Sequence, residues 1–154
     1  QSRMPPIMKE VMGTTINNIL IGTDEFNNTE KINTLIDDVL QEKIDPINLC
    51  FKGKLNSDLS KYKVLSGSSA GAAWANEYLG KNYRKGSFFL VTINENGKYI
   101  AFDNPSEINQ IDKIGNKILL ERFVLKKIQP YYNLMEWDVQ PITNKINGIK
   151  NIWF

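Results

Sequence analysis

Between positions 32 and 40 the apolar residues fall as Ile32, Leu35, Ile36, Val39 and Leu40. That spacing lines one face of an α-helix. Asn27 with Glu30 three residues on has capping-box spacing, so the helix is expected to run from there to about Lys43. Ahead of it "INNILIG" (16–22) is a short apolar run, read as a first strand, while residues 1–15 show no clear period. After a turn at Asp45-Pro46, "INLCFKG" reads as a second strand and 54–62 as a surface loop.

"KVLSG" then predicts a strand and "AGAAWANEYLG" an Ala-rich helix stopped by Gly80. Two β-rich runs flank Asn96-Gly97, a strong hairpin signal. Ile111, Ile114, Ile118, Leu119 and Phe123 predict a helix over 106–127, with Gly115 as a weak point. "WDVQPI" (137–142) suits an edge strand, and Tyr131, Tyr132, Trp137, Trp153 and Phe154 are expected to close the core. Strands alternating with helices imply one α/β domain over 1–154, parallel at least in its first half. Its sheet would be mostly parallel with the hairpin added as an antiparallel ribbon.

Composition narrows the chemistry. The 154 residues include no histidine. This excludes Ser-His-Asp and Cys-His nucleophile systems, histidine general bases and His-ligated zinc. No cluster suggests a metal, and no particular cofactor is indicated. The one cysteine, Cys50, sits in an apolar context that suits a buried residue and cannot form an internal disulfide. Together with the missing signal-peptide pattern, it leads to the expectation of a cytoplasmic protein. Residues 1–3 are expected to be a cloning remnant ahead of a native start at Met4. No apolar run is long enough for a membrane span. A net charge of +2 makes nucleic acid an unexpected partner.

Two glycine-containing turns stand where an α/β sheet places ligands, after the carboxyl ends of strands. One is Gly22-Thr23-Asp24; the other is Ser66-Gly67-Ser68-Ser69-Ala70-Gly71. Glycine lets backbone approach a ligand, and free N–H groups at a helix start favour an anion. Backbone N–H groups of Ser68 to Gly71 are expected to hold phosphate, with Asp24 at a ribose hydroxyl. On that reading Gly71→Val should abolish binding and leave the fold intact.

These motifs resemble the SLOG superfamily of Rossmann-like domains, in particular its small YspA-like phage and bacterial members. Gly22, Thr23 and Phe26 match its first motif, and Ser66, Gly67, Gly71 and Ala72 its second. Asn116, in "IGNKILL", matches the Asn of a third, an Arg-Asn pair; the likeness covers roughly residues 16–80 and implies a Rossmann-like three-layer fold. The resemblance implies a nucleotide or nucleotide-derived ligand, and together with the reading of the two turns it makes the expected site Gly22, Thr23, Asp24, Ser66, Gly67, Ser68, Ser69, Gly71 and Asn116. Asp24, Ala73 and Gly115 stand where that family carries Arg, Asp and Arg. Their loss leads to the alternative of a protein-interaction module, a phage or mobile-element factor with a host-protein partner or a homo-oligomer. A third reading, a nucleotide N-glycoside hydrolase using Asp24 or Glu77, lacks its motif. The balance is toward binding without catalysis.

Overall fold

A computed structural model describes residues 3–108 and 111–149. In chain order the helices are α1 (Pro6–Leu20), α2 (Glu25–Leu40), α3 (Ser68–Tyr78), α4 (Asn116–Leu120), α5 (Lys126–Met135) and α6 (Gln140–Ile146). The strands are β1 (Phe51–Lys54), β2 (Phe88–Ile93) and β3 (Tyr99–Phe102). The chain forms two compact units. Residues 1–5 and 45–115 make a sheet unit; residues 6–44 and 116–154 make a helical unit.

The sheet unit overturns the expected fold class. Its three strands are ordered β1-β2-β3, and both pairings are antiparallel. No parallel pair occurs among the described residues, so the mostly parallel Rossmann-like sheet is not formed. The register sets Phe51 opposite Val91 and Gly53 opposite Phe89. This puts all four on the face that α3 covers, with Ala72, Ala75, Tyr83 and Ala101 completing the core. Small residues on α3 let it lie close to β3. A Cβ on Gly71 would sit 3.2 Å from the Ala101 methyl and 3.3 Å from the Ile100 carbonyl. The opposite face carries a second core of Cys50, Ile100, Phe102 and Ile108.

The Asn96-Gly97 hairpin forms as expected between β2 and β3. Asn94 organises it. Its side-chain oxygen accepts from the N–H of Asn96 (3.0 Å) and Lys98 (2.9 Å), and its amide donates to Asp112 at 2.7 Å. "KVLSG" forms no strand and crosses the surface with Val64 and Leu65 exposed.

In the helical unit, "INNILIG" belongs to a helix instead of a first strand. Met8, Met12 and Thr15 are buried at helical spacing, and Asn18 continues the same face. The apolar pair that suggested a strand, Leu20 and Ile21, ends up in solvent at 78% and 68% exposure. The expected helix over 106–127 begins at Asn116 instead, after a 3-10 turn (Pro105–Ile108) and an extended stretch at Ile114. It then continues through a π turn (Glu121–Leu125) into α5, past Pro130. A proline inside a helix costs about 3 kcal/mol, and burial of Phe123, Val124, Ile128 and Tyr132 offsets that. "WDVQPI" turns into α6, where Pro141 occupies the first turn that tolerates it. Tyr132 closes this core as expected, whereas Trp153 and Phe154 lie outside the described residues.

Candidate phosphate-binding site

The two glycine turns fall in different units. Gly22, Thr23 and Asp24 link α1 to α2 in the helical unit. Gly22 takes φ +82°, and its N–H bonds to Ile19 O at 3.2 Å while that of Thr23 reaches Asn18 O at 2.8 Å. This pair of bonds is a Schellman C-cap, which needs the left-handed residue that glycine supplies. Asp24 is the N-cap of α2, its carboxylate accepting from Asn27 N at 2.8 Å. Asp24, not Asn27, therefore starts this helix. The turn closes one helix and opens the next, and the Asp24 carboxylate is engaged as the cap. Asn116 lies in the same unit; its amide donates to Val39 O at 3.3 Å, at the end of α2.

Ser66 to Gly71 lead into α3 in the sheet unit. Gly67 is the N-cap at φ +54°, ψ −121°, a conformation for glycine alone, and it brings no side chain to cap the helix. The Ser69 hydroxyl folds back on Ser66, accepting from its N–H (2.9 Å) and donating to its carbonyl (3.0 Å). The N–H of Ser69 also bonds Ser66 O, and that of Gly71 bonds Gly67 O. The N–H groups of Ser68 and Ala70 have no acceptor among the described residues. Ser68 is buried, and its hydroxyl accepts from Arg3 Nη1 at 3.4 Å. Lys61 and Lys63 stand exposed in the preceding segment.

An uncapped helix N-terminus carries a partial positive charge and outward N–H groups. Here a guanidinium reaches its first residue, and two exposed lysines precede it in the chain. That is anion-binding chemistry, suited to a phosphate group. Of the residues expected from sequence, Ser66, Gly67, Ser68 and Ser69 shape this turn, while Gly71 serves helix–strand packing. Sequence reasoning does not reach Arg3, which lies outside both turns. No sequence signal tied it to a turn 65 positions away.

Lys81, Tyr83, Asp103, Glu107 and Cys50 have structural partners. Lys81 Nζ lies 2.7 Å from both Asp103 and Glu107, and the Tyr83 hydroxyl donates to Asp103 at 2.8 Å. These contacts raise the Lys81 pKa and lower that of Asp103, while burial raises that of Tyr83. Cys50 is buried and its thiol donates to Pro46 O at 3.3 Å. Burial, with the Asp45 charge adding to it, pushes its pKa up to about 12, opposite to the lowering that activates a reactive thiol. Glu77 is exposed on α3. No metal-binding group of three or more His, Cys, Asp or Glu occurs among the described residues. No helix among them is long and apolar enough to cross a membrane.

An antiparallel sheet under one helix makes up one unit of the fold, and helices make up the other. No protein-family model matches the chain, and no curated protein matches its sequence. Among solved structures it resembles part of the family B DNA polymerase from the hyperthermophilic archaeon Pyrobaculum calidifontis. The TM-score is 0.64 at 15% identity, over 100% of this chain and 19% of the polymerase. The two share a fold over this stretch, and this chain spans about a fifth of the polymerase's length.

Proposed function

We propose that this chain is a DNA-holding portion of a polymerase-type protein, and that it grips the phosphate backbone of duplex DNA at the start of α3. The observation that carries this reading is the likeness along the whole chain to a segment of a DNA polymerase. The phosphate expected at the Ser66–Gly71 turn is retained, but it belongs to a nucleic-acid backbone instead of a free nucleotide. Free N–H groups of Ser68 and Ala70 receive one phosphate, and Arg3, Lys61 and Lys63 neutralise its neighbours.

This departs from the expectation drawn from net charge, and the reason is averaging. The sheet unit has ten Lys and Arg against seven Asp and Glu, while the helical unit has nine against ten. The total of +2 therefore conceals a basic unit beside a slightly acidic one. Contacts to phosphate position a protein on duplex DNA without reading sequence. Such a role needs no catalytic residue in this chain.

The test is fluorescence anisotropy of a labelled primer–template duplex titrated with the chain across a salt series. Each phosphate neutralised contributes roughly −0.9 to the slope of log affinity against log salt. The triple variant Arg3→Gln, Lys61→Gln, Lys63→Gln should bind more weakly and reduce the slope by about 2.7. No duplex binding at low salt, or an unchanged slope in the variant, overturns the reading. A melting-temperature rise with nucleotides in place of duplex binding would return the site to a free nucleotide.

A further inference from the structure

The face of the sheet not covered by α3 is filled along only part of its length. Cys50, Ile100, Phe102 and Ile108 pack over one end, with Leu90 half-buried against them. At the other end β1 and β2 present Lys52, Lys54 and Phe88. Lys52 and Lys54 are exposed, and Phe88 is 72% exposed. The register sets Lys54 directly opposite Phe88 and Lys52 opposite Leu90, so the four side chains form one patch. The Lys54 ammonium lies 5.2 Å from the Phe88 ring centroid. The three strands contain no other charged residue.

We infer that this patch is a platform for a single strand of DNA. The inference rests on the reading that the chain handles DNA, and adds a second surface on which the bases themselves are held. Phe88 offers its ring to an unstacked base, and Lys52 and Lys54 meet the phosphates on either side. Residues two apart on a strand are about 6.7 Å apart, close to the step between successive phosphates of an extended strand. Lys54 lies over the ring in a cation–π contact. Its flexible stem lets the ammonium move to a phosphate as a base takes its place. A duplex keeps its base faces stacked inside and has none to offer Phe88. An acidic peptide would use the lysines and leave the ring without a partner.

The chain would be titrated into a fluorescein-labelled oligothymidine and, separately, into the duplex, using wild type, Phe88→Ala and the double variant Lys52→Gln, Lys54→Gln. All three side chains are exposed, and unchanged melting curves will verify that the variants fold. Phe88→Ala should weaken oligothymidine binding roughly five- to a hundredfold and leave duplex binding unchanged. The lysine variant should lower the salt slope for the single strand by about 1.4. If Phe88→Ala binds oligothymidine as wild type does, the platform is refuted and the patch is a purely electrostatic one, open to acidic peptides. Duplex binding without oligothymidine binding also refutes it and leaves the α3 reading intact. Phe88-dependent oligothymidine binding without duplex binding supports the platform and removes the α3 reading alone.

Discussion

Gly115 and Gly13 make a matched pair for one substitution with opposite outcomes. Gly115 precedes α4 and lies against the β2–β3 hairpin, its N–H donating to Ile93 O at 2.8 Å. A methyl group there would overlap the carbonyl oxygen of Asn94, 2.7 Å from its carbonyl carbon and 3.1 Å from Glu95 N. These are backbone atoms, and Asn94 is held by its bonds to Asn96, Lys98 and Asp112. Neither side can yield cheaply. Overpacking costs about 1–3 kcal/mol, and losing or stretching the Gly115 hydrogen bond about 1 more. Gly115→Ala should therefore destabilise by about 2–4 kcal/mol, a melting-point drop of roughly 4–16 °C. Gly13 sits inside α1 with nothing within 4 Å of its missing methyl. Gly13→Ala should stabilise by up to about 1 kcal/mol through helix propensity and reduced unfolded-state entropy. Urea titrations followed by tryptophan fluorescence and circular dichroism read both changes. The close-contact argument fails if Gly115→Ala unfolds within 0.5 kcal/mol of wild type, a margin typical of neutral surface changes.

Two further outcomes follow from the packing. Gly71→Val places a branched side chain where even a Cβ lies 3.3 Å from the Ile100 backbone. It should lower the melting temperature markedly, so any loss of binding in that variant reports damage to the α3–β3 contact; an unchanged melt would refute this. For Cys50, the thiol pKa rises from 9.0 unfolded to about 12 folded. The native state then holds a proton that the unfolded chain releases, so stability is full below pH 9 and falls between pH 9 and 12. Thermal melts should show a smaller loss over that interval in Cys50→Ala than in wild type; equal losses would show that the thiol stays accessible in the fold.

Some of this protein was legible in one dimension. The α2 stripe from Ile32 to Val39 is buried on the face its spacing predicted. Asn96-Gly97 makes a hairpin, and Gly80 follows the end of α3. In each case neighbours within a few positions decide the conformation, through helical periodicity or a turn that glycine permits. The candidate site was half legible for the same reason. The Ser/Gly turn announced a helix start with open N–H groups, whereas Arg3 carried no local signal.

Strand direction and the fate of short apolar runs were decided by tertiary contacts. Period alone does not separate a strand from a helix over seven residues, and "INNILIG" became helix because Met8 and Met12, upstream of it, extend the same buried face. Gly22 and Asp24 looked like a ligand loop, and the helix on each side turned them into caps. Pro130 lies inside α5, and the burial of Ile128 and Tyr132 carries the helix through it. Pattern within a segment sets which face is apolar; which partner covers that face, and in which direction it runs, depends on residues far away in the chain.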